Sequence, residues 1–143
     1  MVIIVSSAII QKQKLFLFVK EIKPSAAGKW GLPGGKVEEG ESISDGIRRE
    51  VLEETGYTVY SEKLSRIVNK TRTHEGNTVI KFVFECQIHD VKSSGAEHQC
   101  KYFSIDDVRK LQDEDLIRGD EILGILQDIA DGNKYEPFLQ IIH

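Results

Sequence analysis

Two cysteines in 143 residues, Cys86 and Cys100, stand outside any CxxC or histidine-linked spacing. That scarcity leaves no framework for a disulfide-stapled scaffold or a structural zinc site, and the pair reads as two reduced thiols. Long apolar runs are missing as well. The N-terminal stretch Val2–Ile10 has no basic residue before it and is too short to span a bilayer. No membrane partner, leader or anchor is therefore expected, and the chain is expected in the cytoplasm. Positive charge is also short, with 19 Lys and Arg against 23 Asp and Glu and a net charge of −4. This argues against a nucleic-acid polymer as partner, because a broad footprint needs a basic face. A small phosphorylated ligand is not excluded, since a bound metal and a few lysines can reverse the sign locally.

What remains is the mixture of an ordinary globular domain, 40% apolar and 29% charged. No internal repeat, low-complexity tract or composition shift divides it, so one domain over residues 1–143 is expected, as a monomer or homodimer. Val2–Ile10 and Leu15–Lys20 read as strands joined by a hairpin at 11–14. Residues 21–29, with Pro24 and Gly28, read as a loop. Trp30–Leu32 reads as a short strand that Pro33-Gly34-Gly35 breaks. Thr58–Thr73 and Thr78–His89 read as long strands around a turn at Glu75-Gly76-Asn77, followed by a loop over 90–97 and a short strand at Lys101–Phe103. Ser104 caps a helix running to Leu111, and a further helix spans Asp120–Ala130. Strands with few, widely separated helices predict an α/β fold with a mixed sheet covered on both faces.

The most informative segment is GKVEEGESISDGIRREVLEETGY, residues 35–57. Ser42 is a good N-cap, Asp45 supports the first turn, and Gly56 suits the position that ends a helix. Within this helix Glu50, Glu53 and Glu54 stand at i, i+3 and i+4. At about 100° per residue Glu50 and Glu54 fall within about 40° of each other, on the apolar side set by Ile43 and Ile47. Inward-facing carboxylates repel one another and lose solvation unless a cation lies between them. A hard divalent ion with oxygen ligands, Mg²⁺ or Mn²⁺, answers that need. Glu53 lies further round, four residues after Arg49, so an ion pair competes with a role as ligand or general base. Glu38 and Glu39 read as solvated.

Other glycine motifs fail. Gly35 and Gly40 have the first spacing of a phosphate-binding loop, but Glu41-Ser42 stands where Lys-Ser/Thr is required, and no G-x-G-x-x-G is present. The segment instead resembles the Nudix box, G-x5-E-x7-R-E-U-x-E-E-x-G-U with U apolar. Its fixed positions are Gly35, Glu41, Arg49, Glu50, Val51, Glu53, Glu54, Gly56 and Tyr57. The resemblance implies a Nudix-type α/β/α sandwich with the box as a loop–helix–loop catalytic motif. It implies metal ligation by Glu50, Glu53, Glu54 and the carbonyl of Gly35, with Arg49, Glu50 and Glu53 serving catalysis and Glu41, as a box position, buttressing the loop. Glu97, ahead of Tyr102-Phe103, is similar in place to a further metal-binding or base glutamate of the family, against the alternative of a solvated loop residue. His98, like His74, His89 and His143, reads as a surface or strand-end histidine rather than a ligand. Trp30 and Tyr102 read as core or pocket wall.

The implied reaction is metal-dependent hydrolysis of a diphosphate linkage in a nucleoside diphosphate joined to another moiety, X. The sequence says little about X. About 34 residues precede the box, too few for the dimerisation sheet of larger ADP-ribose enzymes. The stretch Lys70–Glu75 carries neither the proline nor the tyrosine that marks some subfamilies. Small (deoxy)nucleoside triphosphates are the expected substrates, with nucleotide sugars and similar conjugates as the alternative. A catalytically weak nucleotide-binding module and a diphosphate isomerase are the rivals from other classes. The intact box glutamates speak against the first, and no additional catalytic residues are visible for the second.

Overall fold

The computed structural model describes residues 1–71, 73, 75–111, 115–117, 119–132 and 138–142; His74 and His143 lie outside them. In chain order the strands are β1 (Val2–Ile9), β2 (Gln11–Lys12), β3 (Leu15–Lys20), β4 (Trp30–Gly31), β5 (Gly34–Lys36), β6 (Tyr57–Lys70), β7 (Thr78–Lys92), β8 (Cys100–Phe103) and β9 (Phe138–Ile142). The helices are α1 (Ile43–Thr55), α2 (Ile105–Lys110) and α3 (Gly119–Ala130). Strands β5-β1-β7-β6-β9 form a mixed sheet. Within it β1 runs parallel to β7 and β6 parallel to β9, while the β5/β1 and β7/β6 pairs are antiparallel. A smaller antiparallel sheet centres on β3. Phe16 faces both Gln11 and Phe103, and Val19 faces both Gly31 and Cys100, so β8 follows one edge of β3 while β2 and β4 share the other.

Strand alternation builds two cores from the same strands. Ala8, Ile10, Leu17, Phe84 and Cys86 turn toward α1 and pack with its Ile47 and Val51. Their neighbours Ile9, Phe16, Phe18 and Val83 turn the other way and pack with Val108 of α2 and with Ile122, Ile125 and Leu126 of α3. Phe16 and Phe18 are essentially inaccessible to water, each contributing about 1.5–3 kcal/mol of burial. Helices thus cover both faces in an α/β/α sandwich.

Three details depart from the sequence reading. The strand at Trp30 does end before Pro33, but Gly34 and Gly35 are not part of the break; β5 begins at Gly34 and pairs with Ser6 and Ser7 of β1. The second long strand runs on to Lys92, three residues past His89. Strand β9 is an addition: its five residues, Phe-Leu-Gln-Ile-Ile, are too few for periodicity to assign, and its parallel partner on β6 defines it. No helix among the described residues is long and apolar enough to cross a membrane.

Candidate active site

Helix α1 is framed by its own sequence. The Ser42 hydroxyl accepts the Asp45 N–H at 3.0 Å, and Gly56, at φ 79°, closes the C-terminus with its N–H on the Leu52 carbonyl. Between these ends Ile47, Val51 and Glu54 fall on the buried face. Glu54 is therefore committed to the interior by the same periodicity that buries its apolar neighbours. The side chains grade outward, with Glu54 6% exposed, Glu50 16% and Glu53 45%.

Two glycines make room for these carboxylates. Gly34 lies at φ 150°, where a Cβ would sit 2.1 Å from the Ser6 carbonyl oxygen. Only glycine lets β5 come this close to β1, and the approach aims the Gly34 N–H at Glu54 Oε1, 2.8 Å away. At Gly35 a Cβ would lie 2.6 Å from Glu50 Oε1, so the Glu50 carboxylate occupies the space a side chain would fill. Strand β5 and helix α1 thereby bring Gly34, Gly35, Glu50 and Glu54 together.

Arg49 organises the outer carboxylates. Its Nε and Nη2 donate to the two oxygens of Glu41 at 3.0 and 2.8 Å, a bidentate pair. Nη1 reaches Glu50 at 3.1 Å and Glu53 at 3.2 Å, and Nη2 also donates to the Lys36 carbonyl. Glu41 Oε1 accepts the Glu38 N–H as well, which makes it the loop buttress the sequence reading expects. The guanidinium holds the Glu41 carboxyl down at about 2, and Arg49 is itself driven further toward its charged form. The expected i,i+4 pair between Arg49 and Glu53 is present.

Glu54 has no such partner. Burial first, and then the charges of Glu50 and Glu21, push its carboxyl up to about 8, against the opposing hydrogen bond from Gly34. The loop carrying Glu97 docks on this end of α1 through main-chain bonds from Glu97 N–H to the Glu53 carbonyl and from His98 N–H to the Glu54 carbonyl. The Glu97 side chain is exposed.

Two neighbours escaped the sequence reading. His98, taken as a surface histidine, is 8% exposed with Nε2 3.8 Å from Glu21 and 4.0 Å from Glu54. Its position beside Glu97 was the available signal. For Glu21 there was none, because no spacing rule brings residue 21 to residue 54. Trp30 is half-buried, packs against the core around Phe16 and Phe18 and meets Phe103 edge-on at 5.2 Å, the core side of the reading as core or pocket wall.

The donor set fits a hard divalent ion. The two side chains held against Gly34 and Gly35, Glu54 and Glu50, both offer oxygen, and the deeper one lacks a lysine or arginine partner. Glu50 and Glu53 give an oxygen each to Arg49, and among the described residues no three ligand-type side chains converge on one point.

Fold and site together define a small α/β/α protein with a carboxylate-bearing helix set under a glycine strand. The NUDIX domain family model matches residues 2–122, and the chain belongs to that family. An oxidized purine nucleoside triphosphate hydrolase of Mus musculus is 36% identical over 90 residues, 63% of this chain and 51% of that protein. An ADP-ribose pyrophosphatase of Methanocaldococcus jannaschii is 28% identical over 105 residues, 72% of this chain and 62% of that protein. The solved structure of a NUDIX hydrolase from Nitrosomonas europaea superimposes with a TM-score of 0.80 at 29% identity, covering 94% of this chain and 93% of that one. The chain spans about half the length of the mouse relative, and less than two thirds of the curated relatives it matches.

Proposed function

We propose that this chain is a divalent-metal-dependent hydrolase of diphosphate linkages in nucleoside diphosphates joined to X, acting on small (deoxy)nucleoside triphosphates. The observation that carries the reading is Glu54, buried beside Glu50 under the Gly34-Gly35 strand without a countercharge, inside a complete family box. Glu50, Glu53, Glu54 and the Gly35 carbonyl would hold Mg²⁺ or Mn²⁺. When bound, the ion would neutralise phosphate charge and make a nearby water acidic enough to attack phosphorus.

The chain's own residues supply the rest. Arg49 keeps Glu50 and Glu53 ordered around one guanidinium, so that an arriving cation competes for oxygens already oriented. Glu53, the most exposed of the three, suits a general base because it can both meet the attacking water and return its proton to solvent. Glu97 projects from the loop docked on α1 and is the further carboxylate for cation or proton. Little covalent help is needed, because phosphoryl transfer depends on positioning and charge stabilisation.

The mouse relative's name supports triphosphates as X-linked substrates, and the archaeal relative's name supports the alternative, an NDP-conjugate pyrophosphatase. The test is turnover on a panel of ordinary and oxidised (deoxy)nucleoside triphosphates, ADP-ribose and nucleotide sugars, with Mg²⁺ and with Mn²⁺. The expected result is metal-dependent release of a nucleoside monophosphate, fastest from a triphosphate. Preference for a conjugate by about tenfold or more in kcat/KM would move the chain to the alternative. Absence of turnover on every substrate would overturn the reading.

A further inference from the structure

The end of α1 is finished by a distant part of the chain. The last carbonyls of a helix have no partners within it and need outside donors. Here Glu97 N–H reaches the Glu53 carbonyl at 3.0 Å and His98 N–H the Glu54 carbonyl at 3.2 Å. Ser93 adds its N–H and its hydroxyl, both 2.8 Å from the Gly56 carbonyl. The residues that accept two of these bonds are the ones whose side chains make the site, so helix termination and loop docking are one arrangement.

Into that junction goes the imidazole of His98. It is 92% enclosed, with Nε2 3.8 Å from Glu21 Oε1 and 4.0 Å from Glu54 Oε2, while Nδ1 is buried without a hydrogen-bond partner. Glu21, whose carboxyl lies below the ordinary range, is an acceptor only, so the proton of a neutral ring belongs on the nitrogen that faces it. Glu21 is itself pinned, since its Oε1 accepts the N–H groups of Ile22 and Lys23 at 2.9 Å each. Its negative charge opposes ionisation of Glu54, and His98 Nε2 lies within 4.0 Å of both carboxyl groups. Packing alone does not explain this choice of residue, because a ring without nitrogen would fill the same space without leaving Nδ1 unsatisfied.

We infer that His98 is a positioning residue for the proposed cation site, its Nε2–H edge holding Glu54 in register with Gly34 and Glu50 against the fixed charge of Glu21. It acts through Glu54 and touches neither substrate nor cation, and the inference rests on the cation-site reading above. At 4.0 Å the contact with Glu54 is electrostatic, beyond hydrogen-bond distance, and its role resembles that of the outer groups that orient metal ligands elsewhere, whose loss weakens binding about 10–100-fold.

The test is Mn²⁺ binding without nucleotide, read by electron paramagnetic resonance of the free ion, beside a thermal melt of each variant. His98→Phe keeps the ring and removes the N–H; His98→Gln keeps an N–H donor of similar reach. The expected result is Mn²⁺ affinity weakened at least about tenfold in His98→Phe and restored to within about threefold of wild type in His98→Gln. The melting temperatures need not follow that order. His98→Leu replaces the Phe variant if the latter does not fold. Wild-type affinity in the apolar variant, or equal losses in the Gln and apolar variants, would overturn the positioning role. A wild-type chain that takes up no Mn²⁺ would overturn the cation site itself and this inference with it, a failure visible before any variant is made.

Discussion

Glu54 on α1 and Glu121 on α3 are both buried glutamates on helices packed against the same sheet, and their environments push them in opposite directions. Burial opposes ionisation of Glu121, but Lys81 and Lys70 outweigh it and hold its carboxyl below the ordinary range. Lys81 Nζ lies 2.7 Å from one oxygen and Lys70 bonds the other. Nearby on the same face, Arg66 pairs with Asp128 at 2.8 Å. Glu54 receives one backbone N–H and otherwise faces Glu50, Glu21 and His98. Its carboxyl is pushed up to about 8. On the α3 face lysines and an arginine pair with the carboxylates, whereas on the α1 face Arg49 serves Glu41, Glu50 and Glu53 and leaves Glu54 without a lysine or arginine partner. Position and side-chain type alone would not separate the two; the partners do.

The comparison is broken most severely by neutralising the site. Glu50→Gln or Glu53→Gln should lower kcat by at least about a hundredfold while the melting temperature stays within a few degrees, because an amide neither binds a divalent ion well nor moves a proton. Near wild-type turnover of both variants in saturating Mg²⁺ would remove the catalytic reading. On the other face the effect should fall on stability. Glu121→Gln leaves two lysines facing a neutral amide and should cost roughly 3 kcal/mol in denaturant unfolding, with Mn²⁺ affinity unchanged. The sign with pH follows. A depressed carboxyl contributes stability above its unfolded value of 4.5 that is lost as pH falls through the folded one. The variant should therefore show a flatter acid limb. An unaltered stability would show that the Glu121 ion pairs do not hold the fold, and a loss of Mn²⁺ binding would show that the two faces are not independent.

Much of the site was legible because it is local. Ser42, Glu50, Glu53, Glu54 and Gly56 share one helix, and the 3.6-residue period that buries Ile47 and Val51 also buries Glu54. Alternation likewise made β1, β3 and β7 readable. What was hidden depends on contacts across the chain. The glycines of β5 look like a chain breaker until Ser6 and Ser7 are seen to pair with them. His98 looks like a surface or strand-end histidine until its backbone is found on the end of α1. Glu21 joins the site only because β3 ends where the loop over 93–99 passes, with Lys20 N–H bonded to the Gln99 carbonyl. None of these follows from composition or period.

The central claim is that the α1 face is built for a divalent cation, and calorimetric titration with Mg²⁺ over pH 6.5–8.5 measures it directly. Below about 8 the carboxyl of Glu54 holds a proton that the cation must displace. Wild-type affinity should therefore rise with pH and level off near that value. Glu54→Gln, with no proton to lose and no charge to offer, should bind at least about tenfold more weakly, about 1.4 kcal/mol, with a flatter pH dependence. Binding by Glu54→Gln as tight as wild type, with the same rise in pH, would contradict the account.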